Sequence, residues 1–342
     1  MTLTGTENTA GASVLFREFD VVYFDLDGVL YRGKQSVPGA GETVSELVAQ
    51  NCGVAYVTNN ASRTSDEVAA HLEALGIPAK PAEVITSAEV AVEILRKHVQ
   101  PGAKVFVVGG EGVAQALSEA DFSPSRDPRD CVAVVQGFGP EVSWQELAQA
   151  SYLIQGGAIW IATNLDSTFP TGAGIAPGNG SLVEAVRNAV GRSPDGVGGK
   201  PDLAMMHKVM AVAPGRKPLL VGDRFDTDIA AGVAAGIPTM LVLSGVSTES
   251  DVWRSQIRAD FICESVKGLV GEYARPIEYL DHQYFDCGDA RAIYFEGNSV
   301  VRAEGGTRLE RLRAADSLKW SLVNKVGVEP FTSGQILLNL GD

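Results

Sequence analysis

The feature that most limits the possible folds is Asp20–Leu26, DVVYFDL, followed at once by Asp27 and Gly28. The run is short, apolar and rich in β-branched and aromatic residues, as a buried strand should be. Its carboxyl end carries acids at i and i+2, Asp25 and Asp27, and Gly28 allows a sharp turn away from a sheet. In open α/β sheets, ligands bind beyond the carboxyl ends of the strands.

The residues that follow keep the pattern. Val37–Gln50 reads as a turn and a helix, Val54–Thr58 as a second buried strand, Ser65–Leu75 as a helix stopped by Gly76-Ile77-Pro78, and Thr86–His98 as a further helix. This alternation predicts a parallel sheet with helices on its faces. A middle section follows, with strands expected at 104–108, 131–136 and 158–162 and helices near 111–119, 143–154 and 178–190. It contains a Gly/Pro-rich loop, Thr163–Gly180, and reads as a self-contained α/β insert. From Lys200 the first pattern resumes, with helices at Asp202–Ala211 and Asp226–Ala235 and strands at Pro218–Val221, Ile237–Leu243 and Asp260–Cys263. The expected division is 14–100 and 196–272 for two parts of a core, 101–195 for the insert and 273–342 for a C-terminal region of different texture.

Composition excludes several classes. At ~150 residues per domain, a chain of 342 residues has room for two domains and a small third. Its net charge of −14 argues against a general nucleic-acid surface, which needs a basic face. No apolar run approaches the ~18 residues that suggest a membrane span. Cys52, Cys131, Cys263 and Cys287 are scattered without a C-x-x-C pair, so reduced thiols and a cytoplasmic location are expected. Met1–Ser13 lacks the basic and apolar regions of a signal peptide and reads as a loose tail.

Four stretches carry chemistry. In Asp25-Leu26-Asp27-Gly28, one carboxylate can attack phosphorus and bind a metal while the other handles a proton; an EF-hand loop would need further acids and a terminal Glu that are absent. Thr58-Asn59-Asn60 offers a hydroxyl and a backbone N–H to a phosphate oxygen, although alone it would read as a turn cap. Lys200 follows two glycines at a helix entrance, where an ammonium can neutralise a carboxylate and a phosphate together; alone it would be a surface lysine. Gly222-Asp223-Arg224-Phe225-Asp226-Thr227-Asp228 puts three acids on one strand-to-helix turn, more than a helix cap needs and costly without a cation. An anionic substrate meets an acidic protein here only if the site supplies local positive charge.

In this order, D-x-D-G, T-N-N, G-K-P and G-D-x-x-x-x-D resemble the haloacid dehalogenase (HAD) superfamily over roughly Phe19–Leu269. The long insert between the second and third stretches resembles a class-two cap, and DLDGVLY, VTNNASRT and VGDRFDTDI resemble the NagD-like branch. The resemblance implies a Rossmann-like parallel-sheet core with an inserted α/β cap, and hydrolysis of a phosphomonoester. Asp25 would form an aspartyl-phosphate. Asp27 would protonate the leaving oxygen and then activate water. Mg²⁺ would be held by Asp25, the Asp27 carbonyl and Asp223, with Asp228 as an orienter. Thr58, the Asn59 N–H and Lys200 would bind the phosphoryl oxygens. Asp27 also speaks against dehalogenases, which lack an acid there, and P-type ATPases, which carry Thr.

The stretch Ala162–Asp166, with Phe169-Pro170 and Ile175–Gly180, resembles the family's substrate-specificity loop and implies Asn164 and Asp166 near the mouth of the site. Few aromatic or basic side chains stand in it, which suits a small polar leaving group rather than a pyridoxal ring. Gly109-Gly110-Glu111-Gly112 resembles part of a dinucleotide fingerprint, but Gln115 replaces the third glycine and no acid ends a second strand, so a tight cap turn is expected. His71, His98, His207 and His282 lie outside the motifs.

The C-terminal region is unnecessary for this core. IEYLDHQYFDC and ARAIYFEGNSVV read as strands and Thr307–Asn324 as an amphipathic helix, giving a small α+β tail. It resembles part of an acetyltransferase (GNAT) fold, with Arg302–Thr307 as a degenerate cofactor loop, and is expected to be structural or an interaction surface. With that tail, the nearest resemblance is to actinobacterial glycerol-3-phosphate phosphatases, which implies that substrate; phosphoglycolate, a nucleotide or a sugar phosphate is the alternative. Caps of this branch suggest a homodimer. A binding or regulatory protein with a relic site is the competing class.

Overall fold

The computed structural model describes residues 13–171, 174–212, 217–279, 284–296 and 299–341, so the N-terminal stretch before Ser13 and His282 lie outside the described residues. Strands β1 (Val21–Phe24), β2 (Gly53–Thr58) and β3 (Val84–Thr86) alternate with α1 (Ala40–Ala49), α2 (Ser65–Ala74) and α3 (Ser87–Leu95). Next come β4 (Lys104–Val108), α4 (Glu111–Glu119), β5 (Ser123–Ser125), β6 (Ala133–Gln136), α5 (Trp144–Gln155), β7 (Ile159–Ala162), α6 (Asn179–Val190) and β8 (Gly196–Val197). They are followed by α7 (Leu203–Val212), β9 (Pro218–Gly222), α8 (Ala230–Ala235), β10 (Thr239–Val242), α9 (Glu249–Arg254) and β11 (Phe261–Cys263). The chain ends with β12 (Ile277–Tyr279), β13 (Tyr284–Cys287), β14 (Ala290–Phe295), β15 (Val300–Gly305), α10 (Arg308–Val326) and β16 (Leu337–Asn339).

Among the described residues three sheets of five or six strands form, beside three two-stranded pairs. The first has the order β11-β10-β9-β1-β2-β3 and every neighbour is parallel. Because the chain winds outward from β1 in both directions, the strand order switches between β1 and β9, where ligands bind in such sheets. One face packs Val22, Phe24 and Tyr56 against α1 and α2; the other packs Val21, Tyr23 and Leu220 against Met205, Met206 and Val209 of α7. The second sheet, β8-β7-β6-β4-β5, is also parallel, with Ala150 and Ile154 of α5 on one face and Val113 and Leu117 of α4 on the other. The third, β12-β13-β14-β15-β16, is antiparallel except for its last pair and carries α10 on one face. The fold class is the expected one: a Rossmann-like α/β protein with a second α/β unit and a small α+β end.

Local chemistry sets the helix starts. Thr64 accepts from the Glu67 N–H at the start of α2, and Ser143 accepts from Glu146 at the start of α5, each with the reciprocal carboxylate contact of a capping box. Three expectations need correction. Thr163–Gly180 is not one open loop: Thr168–Thr171 and Gly174–Pro177 pair antiparallel. Its prolines hid this, yet a two-stranded hairpin has free edges where proline is tolerated. The helix expected from Asp226 starts as a π-turn, Phe225–Ile229, a form frequent at functional sites, before α8 begins. Each long apolar run of the tail also divides, into β12 with β13 and β14 with β15.

The tail docks on the core through Trp253, Ile262 and Leu241, packed against Leu312, Ala315, Leu318 and Phe331. Two cations of α10 complete the joint. Arg313 donates to the Ile262 carbonyl at 2.8 Å and lies 4.0 Å above the Tyr273 ring. Lys319, fully buried, donates to the carbonyls of Val252 and Ser255 at 3.0 and 2.8 Å, satisfying the C-terminal end of α9. Burial lowers the Lys319 ammonium to about 8, against the pull of Asp316. Between pH 8 and the unfolded value near 10.5, the unfolded chain therefore binds the extra proton and stability rises with pH. Relative to Lys319→Met, the wild type gains on the order of 3 kcal/mol across that window, read as the difference between two urea-melt series.

Candidate active site

The carboxyl ends of β1, β2 and β9 bring together residues far apart in sequence. Asp25 follows β1, with its N–H on the Val221 carbonyl of β9 at 2.9 Å. Thr58 ends β2, and Asp223 follows β9. Lys200 enters from the segment after β8, and Asp228 from the π-turn. All of them line one cleft of about 430 Å³.

Lys200 is the hub. Its Nζ lies 2.5 Å from Asp25 Oδ1 and 2.7 Å from Asp228 Oδ1, and it donates to the Val57 carbonyl at 3.2 Å. The contact with Asp228 is an ion pair rather than a hydrogen bond, so two of the ammonium's three hydrogens are used and one remains for a ligand oxygen. Burial works against the charge, but Asp228 and Asp25 outweigh it and hold Lys200 above its ordinary value. Burial, opposed by Lys200 and reinforced by Asp228 and Asp223, raises Asp25 well above the usual carboxylate range. Asp223 is pushed up to about 7 by burial and then by the charge of Asp228, although its carboxylate accepts the Val246 N–H at 2.7 Å. Asp228 accepts the N–H groups of Asp223 and Arg224 at 3.2 and 3.1 Å, which folds the acidic turn around it.

One oxygen from each of Asp25, Asp223 and Asp228 lies within 4.8 Å of the others. These largely buried carboxylates outnumber the ammonium between them, and hard oxygen donors suit magnesium. The residues therefore fit a divalent ion. Glycines hold the space open: a Cβ at Gly28, whose φ is +82°, or at Gly245 would collide with the Asp223 carboxylate. Asp226 stands apart from the cluster, paired with Arg224 at 2.6 Å and largely exposed.

Asp27 lies in the cleft beside a small flap, the antiparallel arms Tyr31–Arg32 and Gln35–Ser36. Burial raises its carboxyl to about 6, against Arg63 and a hydrogen bond from Gly33. Arg32 fastens the flap to the Ser244 carbonyl, and the Ser244 hydroxyl donates to the Gly28 carbonyl at 2.7 Å. Thr58 Oγ1 accepts the Asn60 N–H at 3.1 Å, so its own hydrogen remains for a ligand oxygen.

The second sheet supplies the cleft's far wall. Asp166, raised by burial, accepts from Asn59 Nδ2 at 3.0 Å. Asn164 is buried; its Nδ2 donates to the Asn59 carbonyl at 2.6 Å and its Oδ1 accepts the Asp166 N–H at 3.2 Å. Sequence reading left out Arg32, Phe138, Thr168, Asn179, Arg224 and Val246, which also line the cleft. The acidic turn around Arg224 and the loop resemblance over Ile175–Gly180, which includes Asn179, gave a signal for two of these; the others come from segments without a motif.

Comparison with known proteins agrees with this arrangement. The haloacid dehalogenase-like hydrolase model matches residues 22–123, and a HAD-hydrolase-like model matches 197–269. A D-glycerol 3-phosphate phosphatase of Mycobacterium tuberculosis is 43% identical over 236 residues, 69% of this chain and 66% of that protein, just under two thirds. An acid sugar phosphatase of Staphylococcus aureus is 33% identical over 258 residues, covering 75% of this chain and 98% of its own. The crystal structure of a glycerol phosphate phosphatase from M. tuberculosis in complex with magnesium superposes with a TM-score of 0.78 at 35% identity, over 91% of this chain and 92% of that one. With the strand-end carboxylates, the buried lysine and these relatives together, the chain belongs to the haloacid dehalogenase-like hydrolase family, among its phosphatases.

Proposed function

We propose that this phosphatase hydrolyses glycerol 3-phosphate with magnesium. The observation that carries the reading is which side chains line the cleft: among the described residues there, Phe138 and Val246 are the only large apolar side chains, and Asp166, Thr168, Asn179 and Arg224 stand with them. Such a wall favours a small hydroxylated leaving group over a ring. The M. tuberculosis relatives, named for glycerol phosphate, support the same substrate.

In this reading Asp25 attacks phosphorus; its O–P bond forms as the bond to the leaving oxygen breaks, and Asp27 gives that oxygen a proton. Asp27 then takes a proton from the water that attacks phosphorus, and the Asp25 O–P bond breaks, releasing phosphate. Lys200, the Thr58 hydroxyl and the Asn59 N–H hold the phosphoryl oxygens. Magnesium, held by Asp25, Asp223 and the Asp27 carbonyl with Asp228 orienting the turn, would neutralise developing charge when bound. Asn164, engaged on both sides by its own hydrogen bonds, supports the loop that carries Asp166.

The reading extends to the whole chain. Residues 14–100 and 196–272 form the catalytic core, 101–195 the cap and 273–342 a structural module. At the start of α10 the Thr307 N–H meets the chain's own Glu310 carboxylate at 2.7 Å, where an anionic cofactor would need it free. A homodimer acting in the cytoplasm, with no nucleic-acid partner, completes the proposal; among the described residues no helix is long and apolar enough to cross a membrane.

A panel of phosphomonoesters tests it. Glycerol 3-phosphate is expected to give the highest kcat/KM, ahead of phosphoglycolate, nucleoside monophosphates, sugar phosphates and pyridoxal phosphate, with activity lost in EDTA. Another ester ranking first would defeat the substrate assignment; no phosphate from any of them would favour a relic binding site.

A further inference from the structure

The side chain of Asn59 makes contacts that a phosphate-binding backbone position does not require. Its Oδ1 accepts the Lys200 N–H at 2.8 Å, and its Nδ2 donates to the Lys200 carbonyl at 3.0 Å and to Asp166 Oδ1 at 3.0 Å. A carboxamide has two donor hydrogens and both are spent here. The amide can sit only one way round, since flipping it would set oxygen against a carbonyl and a carboxylate. Its backbone carbonyl is also held, by Asn164 Nδ2 and by Ser87 Oγ, each at 2.6 Å.

These partners lie on different parts of the molecule. Asn59 follows β2 of the first sheet, Asn164 and Asp166 follow β7 of the second, and Lys200 lies on the segment that leads from β8 back to α7. Asn59, Asn164 and Lys200 are all buried, at 8, 4 and 1% exposure, so no water replaces a lost contact cheaply. The backbone just before the lysine is wedged in the same joint: a Cβ at Gly199 would stand 2.8 Å from both Asn59 Oδ1 and Asn164 Cβ and 2.9 Å from the Thr163 carbonyl.

The geometry assigns the Asn59 side chain as a positioning residue, a clasp through which seating of the Asn164–Asp166 loop on the core sets the backbone, and so the ammonium, of Lys200. The inference rests on the reading of Lys200 as a phosphoryl-binding group. It goes further by making the placement of that group conditional on the position of the cap loop.

The test is a double-mutant cycle on the full chain with magnesium, using p-nitrophenyl phosphate, whose leaving group has no hydroxyl for Asp166 to hold. Asn59→Asp keeps the shape but faces a carboxylate with two acceptors. It is expected to lower kcat/KM by about 100-fold, at the upper end for residues that orient a catalytic group, chiefly in kcat. Asp166→Asn alone is expected to cost at most about fivefold, because its amide oxygen can still accept from Asn59 and only the acceptor's charge is lost. In Asn59→Asp/Asp166→Asn the bond between the two re-forms with its direction reversed, and kcat/KM is expected to recover about tenfold over Asn59→Asp. Losses that simply multiply, or Asn59→Asp at wild-type activity beside an inactive Lys200→Met, would overturn the clasp alone. Lys200→Met at full activity would overturn the phosphoryl-binding reading and the proposal with it. If Asn59→Asp does not fold, Asn59→Ser gives the same decision: a loss of about tenfold confined to kcat supports the clasp, and none overturns it.

Discussion

Asp25→Asn is expected to cut phosphate release by at least ~10⁴-fold while leaving the fold intact, because the amide keeps the shape but cannot attack phosphorus. The structural half follows from the electrostatics of the site. Burial and the neighbouring acids already raise Asp25 well above the usual range, so an uncharged amide there relieves a cost rather than adding one, and its oxygen can still accept from Lys200. The melting temperature without magnesium should stay level or rise. A variant that loses activity together with its melt would point to a structural role for Asp25.

Lys200→Met is the second large effect, and it strikes both activity and stability. The ammonium bridges Asp25 and Asp228 at 2.5 and 2.7 Å. Removing it leaves two buried carboxylates without their cation, a loss of about 3–5 kcal/mol for a broken buried pair. A divalent ion supplies part of the missing charge, so the deficit in a thermal melt should shrink when magnesium is added. Turnover is expected to fall by about 10³-fold, the scale of losing a preorganised charge at the phosphoryl group. Equal melts for variant and wild type in EDTA would show that the bridge carries no stability.

What could be read from the sequence was local. DVVYFDL, the apolar run ending at Thr58 and PLLVG each announce a buried strand with polar residues at its tip, and the tips converge because the strands are parallel neighbours. Lys200 was legible only by its glycines and its place in the order of motifs, yet it lies between Asp25 and Asp228. The hairpin at Thr168–Pro177 was not legible, since proline and glycine mask the alternation that marks a strand. The Asn59 clasp was out of reach altogether. The motif exposes its backbone role, but its side chain bonds to residues 107 and 141 positions away, a pairing that exists only once both sheets are assembled. The π-turn at Phe225 was hidden for a related reason: acids that read as an ordinary helix start fold back so that Asp228 can accept the Asp223 and Arg224 amides.

The most direct test of the central claim is an acid quench of the wild-type enzyme during a single turnover of phosphate-labelled glycerol 3-phosphate with magnesium, followed by peptide mapping. The label is expected on the peptide that contains Asp25, rising before free phosphate and absent from Asp25→Asn. Turnover in which the label appears on another residue, or in which Asp25→Asn releases phosphate at the wild-type rate, would contradict it.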